Sequence, residues 1–187
     1  YIQHDIVPKV HRLEQRLILS EYEPQYPKAD NNRPLIVHSP TAKITKGTDA
    51  VLLAVEVLQK KLNFDFKLIT GIPRKQALEL VQKADIFLDQ FVLGDRGIAS
   101  LEAMALGKPV ICYIKPSLVK AYPSSLPIIN ATKEEIVDVL EKLIRDGKHR
   151  QEIGQKSRAY MERYHDAHKV VPQLVGIYKE VMATHQN

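Results

Sequence analysis

Two short apolar runs, Asp85 to Phe91 and Pro109 to Ile114, stand little more than one helix apart, and this spacing constrains the chain more than any other feature. Runs of that length read as buried strands. The segment between them has a helix start at Gly97 or Ile98 and a stop at Gly107, where a glycine past the last apolar residue supplies a left-handed cap and Pro109 prevents continuation. Strand, loop, helix and strand make a βαβ unit.

The expected helix is apolar or small at almost every position (Ile98, Ala99, Leu101, Ala103, Met104, Ala105, Leu106), which reads as burial on more than one side. Glu102 breaks the pattern. A carboxylate taken out of water costs several kcal/mol unless it is paired, so either a neighbouring cation or amide satisfies it or a ligand does. The loop before the helix, Gly94-Asp95-Arg96-Gly97, lies at the carboxyl end of a strand, where open α/β sheets bind ligands. The amides that open the helix, at Ile98 and Ala99, carry partial positive charge and suit phosphate. The alternative is that the loop is a turn and nothing more.

Residues 1–33 read as a linker and a remnant of a preceding domain, with Glu21 to Pro34 extended because it is rich in proline, aspartate and asparagine. Residues 34–187 read as the domain proper. Pro34 to Pro40 is the first buried strand, and Thr41 to Gly47 is expected to be a loop. Thr48 should cap the following helix with its hydroxyl, Asp49 favours the first turn, and Val51, Val55, Leu58 and Leu62 form the apolar face. Lys43 and Lys46-Gly47 therefore stand at a strand end and helix start, as a phosphate clamp or as a solvated basic loop. Phe64 to Thr70 is the second strand, followed by a helix from Gly71 and Pro73 to Ala84. After the central unit come a loop over Lys115 to Ser125 and a short strand at Leu126 to Asn130. A capping box at Thr132 and Glu135 then opens a helix, a charged helix follows it, and a final helix carries Val171, Leu174, Val175, Tyr178 and Met182 on one face. Alternating strands and helices imply a doubly wound, mostly parallel α/β sheet of Rossmann-like type.

The 187 residues suffice for one proper core, and no apolar run approaches the roughly 18 residues a membrane helix needs. No signal peptide is visible in Tyr1 to Lys9, and because the chain opens on Tyr1 without an initiator methionine, a part of a longer protein is expected. Its single cysteine, Cys112, lies in an apolar strand and reads as a buried structural thiol. The net charge of +5 comes from scattered basic residues with no nucleic-acid-binding motif beside them, so no nucleic-acid partner is expected. A dinucleotide oxidoreductase would need a Gly-x-Gly-x-x-Gly turn after the first strand, and His38 to Gly47 contains none.

The run Ala84-Asp85, Gly97, Glu102-Ala103-Met104-Ala105, Gly107 and Pro109-Val110 resembles the donor-binding signature of retaining GT-B glycosyltransferases of the GT4 type. Lys46-Gly47-Thr48-Asp49 resembles the same family's phosphate-binding loop, with Thr41 where an arginine is usual and Lys43 as the substitute cation. The resemblance implies the C-terminal half of a GT-B fold and a nucleotide-sugar-binding domain, which binds a UDP- or GDP-sugar and takes part in hexosyl transfer to a glycan, lipid or other cell-envelope precursor. It implies Lys46 and Glu102 as catalytic residues, with Lys43, Lys46, Gly47, Gly94, Asp95, Gly97, Ile98, Ala99 and Glu102 around the donor. Glu102 would hold the ribose hydroxyls. Gly94 stands where the family carries a first glutamate beside the donor sugar, and Asp95 is the neighbouring carboxylate. No metal or other cofactor is implied. The acceptor site would belong to a missing N-terminal domain, so these residues alone should be inactive. The location implied is the cytoplasm, with peripheral contact to the inner face of the membrane through the full-length protein. The alternative is a nucleotide-binding module of the same fold without catalysis.

Overall fold

The computed structural model describes residues 14–184. Five parallel strands, β1 (Leu35–His38), β2 (Asp65–Leu68), β3 (Ile86–Leu88), β4 (Val110–Cys112) and β5 (Ile129–Asn130), form one sheet in the order β2-β1-β3-β4-β5. The order reverses between β1 and β3, which makes their carboxyl ends the switch point of a doubly wound sheet.

Side chains alternate across the strands, and both faces are covered, so the strands read as unbroken apolar runs. Ile36, Ile86, Leu88 and Ile111 pack on one face against α2 (Thr48–Gln59) and α6 (Ile136–Arg145), through Val51, Leu58, Ile136 and Leu140. Val37, Phe87, Val110 and Cys112 pack on the other, against α3 (Arg74–Lys83), α4 (Ile98–Ala105) and α7 (Gly147–Tyr164). Burial pushes the Cys112 thiol up to about 12, which fits an inert core residue. The stop of α4 is as expected: Gly107 has φ +75°. In α7, Gly154 passes so close that a Cβ there would lie 2.4 Å from the Gly107 carbonyl oxygen.

Several expectations are corrected. The loop over Thr41 to Gly47 contains a short helix, α1 (Lys43–Lys46), and the loop over Lys115 to Ser125 contains α5 (Pro116–Val119). Thr48 is not a cap. Left-handed Gly47 occupies the N-cap position, and the Thr48 hydroxyl instead meets His38 Nε2 at 2.9 Å. His38 Nδ1 lies 2.9 Å from the Leu88 carbonyl, which can only accept, so Nδ1 carries the proton and Nε2 accepts from Thr48. Burial lowers the pKa of His38 and keeps it neutral, a core group between β1, β3 and α2.

The segment expected to be a linker is extended, as its composition suggests, yet it is packed. After a 3-10 turn at Leu19–Glu21 it runs as a strap with Leu19 and Tyr22 buried in the core. Gln25 N–H donates to the Leu106 carbonyl at 3.0 Å, and the Asn31 carbonyl accepts from the buried Arg150 at 2.6 Å. Tyr1 to Leu13 and the last three residues lie outside the described residues. The final helix, α8 (Ala167–Thr184), buries Val170 and leaves Val171, Val175, Tyr178, Val181 and Met182 exposed.

Candidate functional site: a cleft at the carboxyl ends of the strands

A cleft of about 540 Å³ opens at the switch point. The ends of β1 (Ser39, Pro40, Thr41) and β2 (Ile69 to Ile72) form one side, α3 contributes Arg74, Ala77, Leu78 and Val81, and the first turns of α4 contribute Ile98, Ala99 and Glu102. The wall is mainly apolar, and its polar side chains are Ser39, Thr41 and Thr70 at the strand ends with Arg74 and Glu102 on the helices.

Glu102 is held by a neighbouring cation. Arg74 Nε donates to Glu102 Oε1 at 3.0 Å and Arg74 Nη2 donates to the same oxygen. Tyr22 reaches it from the strap, its hydroxyl donating to Oε1 at 3.2 Å and accepting from Arg74 Nη2 at 2.7 Å. Burial and the Glu102 charge raise the pKa of Tyr22, so the phenol remains a donor. The Glu102 hydrogen bond raises that of Arg74.

Lys46 is also paired. Its ammonium forms an ion pair with Asp89, a carboxylate at the end of β3 that is 1% exposed. Asp89 Oδ2 accepts from Ser100 Oγ at 2.6 Å and from Gly97 N–H at 3.2 Å, so one carboxylate ties α1, the loop and the first turn of α4 together. The ammonium therefore lies beside the start of α4. A Cβ at Gly97 would stand 3.4 Å from Lys46 Nζ and 3.3 Å from Asp89 Oδ2, so the loop passes close against the ion pair.

Of the residues expected at the site, Ile98, Ala99 and Glu102 line the cleft, Lys46 and Gly97 meet beside the start of α4, and Gly47 packs against Phe91 and Val92. Lys43 is exposed on α1 and is not among the residues that line the cleft. Gly94 is buried with φ +75°, and a Cβ there would meet Lys115 Cβ at 3.1 Å, so backbone geometry disfavours a glutamate at that position. Asp95 is turned aside: its Oδ1 accepts from Arg96 N–H at 2.7 Å and from the Tyr122 hydroxyl. Arg96 is buried, pairs with Glu14 at 2.7 Å and stacks over Tyr122 at 4.7 Å.

Asp89, Gln90, Arg74 and Tyr22 are the groups that sequence reasoning passed over. Asp89 and Gln90 did leave a signal, since two polar residues closing an apolar strand need partners. Gln90 shapes the loop through Oε1, which accepts from Val92, Leu93 and Gly94 N–H at 2.8–3.3 Å. Among the described residues no group of three or more His, Cys, Asp or Glu side chains could hold a metal ion.

Residues 59–160 match the family described as Glycosyl transferases group 1. The chain belongs to that family. No curated protein matches this group 1 chain by sequence. Among solved structures it is similar to sucrose-phosphate synthase from Thermosynechococcus elongatus, at 13% identity and TM-score 0.71, covering 92% of this chain and 52% of that one. It is similar to Anabaena HepE in complex with UDP-glucose, at 14% identity and TM-score 0.60, covering 80% and 49%. It also resembles the C-terminal domain of a group 1 glycosyl transferase, LpcC, from Francisella tularensis, at 17% identity and TM-score 0.57, covering 80% of this chain and 98% of that domain. At these identities the likeness is one of fold, a Rossmann-like domain of GT-B type. The group 1 chain spans about half the length of the synthase and of HepE.

Proposed function

We propose that the chain is the C-terminal, nucleotide-sugar-binding domain of a retaining glycosyltransferase of the GT4 type, which transfers a hexose from a UDP- or GDP-sugar to a glycan, lipid or other envelope precursor. The observation that carries the reading is the arrangement along α4: an ammonium, Lys46, beside the helix start and a carboxylate, Glu102, one turn further along in the cleft. A diphosphate at the helix start meets the Ile98 and Ala99 amides and Lys46, which stabilise the charge that develops on the leaving group. Glu102 then takes the ribose hydroxyls, and the aliphatic wall from Ile69 to Val81 takes the base. No metal or other cofactor is assigned a part.

The acceptor and the opposing wall of the cleft belong, on this reading, to an N-terminal domain, and residues 1–187 alone bind donor without transferring sugar. The exposed side chains of Ile72 and Ile98 in the cleft, those of Ile44, Val92 and Leu93, and those of α8 suit a surface covered in a larger protein. A place in the cytoplasm, against the membrane through the longer protein, completes the proposal; no helix among the described residues is long and apolar enough to cross a membrane.

Gly94 favours a second reading, a nucleotide-binding module without transfer, because its left-handed backbone leaves no carboxylate at the donor-sugar position. Sugar transfer by the longer protein separates the two. The shared core is tested by a thermal-shift screen of UDP, GDP, ADP and CMP on the parent and on Glu102→Gln. Ligands of the folded state alone raise its stability, so at least one diphosphate should stabilise the parent and do so markedly less for the variant. No shift with any of them, or equal shifts in both proteins, removes Glu102 from the site.

A further inference from the structure

We infer that Arg74 and Tyr22 are positioning residues for nucleotide recognition, holding Glu102 so that one of its two oxygens is spent inside the protein and the other is presented to vicinal hydroxyls. The inference rests on the proposed role of Glu102 towards ribose. Among the described residues every hydrogen bond to the Glu102 carboxylate falls on Oε1: two from the Arg74 guanidinium and one from the Tyr22 hydroxyl. None falls on Oε2. A carboxylate offers about four acceptor sites on two oxygens, so this arrangement leaves an acceptor pair on the side chain that lines the cleft.

The three groups close a triangle, since Arg74 Nη2 also donates to the Tyr22 hydroxyl at 2.7 Å, and each fixes the rotamer of the others. They come from three separate parts of the fold. Tyr22 is buried on the strap, Arg74 opens α3 after the end of β2, and Glu102 is in α4. A carboxylate fixed in this way loses little freedom when it accepts two hydroxyls, and such preorganisation lowers the entropic cost of binding. The Arg74 side chain is itself 66% exposed against 12% for Glu102, so the guanidinium is not needed to fill the core. Arg74 lines the same cleft and leaves the charge of the site balanced before the ligand arrives.

The discriminating readout is the preference for ribose over 2′-deoxyribose, measured by calorimetric titration of the full chain with the ribo and 2′-deoxy forms of UDP, GDP and ADP. The parent should prefer the ribo form of whichever base binds. Arg74→Met should reduce that preference about tenfold, the scale of one charge-assisted hydrogen bond, with the 2′-deoxy affinity falling by less than the ribo affinity, and it should lower the melting temperature because Glu102, 12% exposed, loses its counter-charge. Arg74→Lys should recover part of the preference. Tyr22→Phe keeps the buried ring and removes only the hydroxyl, so it should lower the same ratio by less. If Arg74→Met changes both forms equally, or tightens the ribo form, Arg74 does not position Glu102 and the inference is overturned. If the parent shows no ribose preference, the assignment of Glu102 to ribose fails first, and this inference fails with it.

Discussion

Asp85 and Asp89 stand at opposite ends of β3, both buried, and they are satisfied in different ways. At the amino end, Asp85 Oδ2 accepts from Leu35 N–H at 2.8 Å and Asn31 Nδ2 at 2.9 Å, a backbone group and a strap side chain that cannot leave without unfolding something. At the carboxyl end, Asp89 is paired with Lys46, a long side chain that can exchange one anion for another at little backbone cost. Four further charges show the same division. Lys108 donates to the Gln25 carbonyl and Arg150 to the Leu143, Ile144 and Asn31 carbonyls, all at the strap side. Glu102 and Arg74 meet in the cleft. Lys108 and Arg150, bound to backbone carbonyls, hold the strap, whereas Lys46 and Glu102, bound to side chains at the carboxyl ends of the strands, are placed where a ligand can reach them.

The largest effect expected from this contrast is at Asp89. Asp89→Asn leaves Lys46 without its counter-charge, and breaking a buried pair from one side costs about 3–5 kcal/mol. Added UDP should restore part of that loss, because its phosphates replace the missing anion, so the melting temperature of Asp89→Asn should rise more with UDP than that of the parent. Asp85→Asn should cost about 1–3 kcal/mol through its poorly matched donors, and UDP should stabilise it no more than the parent. Equal UDP shifts in both variants would erase the distinction between the two ends.

The smallest expected effect is a pH dependence at the strap. Burial holds Lys108 down at about 8 against an ordinary 10.5, so between these values the unfolded chain binds more protons than the folded one and stability rises with pH. Denaturant unfolding at pH 7.5 and 9 should show a gain of about 1 kcal/mol in the parent that is absent in Lys108→Met. The window stops at pH 9 because Cys112, raised to about 12, acts in the opposite sense above it. A parent with flat stability over this range would mean that the strap leaves Lys108 hydrated.

The βαβ unit and the special status of Glu102 were legible in the sequence because their signals are local: a glycine stop before a proline, and one carboxylate in an apolar helix. What pairs with Glu102 was not legible. Arg74 and Tyr22 are 28 and 80 residues away, and Asp89 is 43 residues from Lys46, so only the fold brings these partners together. The helix α1 escaped because Lys-Ile-Thr-Lys has no apolar period, and its Ile44 is exposed. Thr48 read as a cap because the rule is local, whereas the hydroxyl is claimed by His38 from β1. The strap's prolines marked it as extended, but nothing in its composition said that Leu19 and Tyr22 would enter the core.

The central claim, that the start of α4 receives a diphosphate, is tested most directly by titrating UDP and uridine into the parent and into Lys46→Met by calorimetry at low and moderate salt. Lys46→Met should weaken UDP binding by about tenfold or more, with the loss larger at low salt, where the charge is less screened. Uridine binding should be unchanged. Equal losses for UDP and uridine, or none for either, would contradict the claim and leave Lys46 as the counter-ion of Asp89 alone.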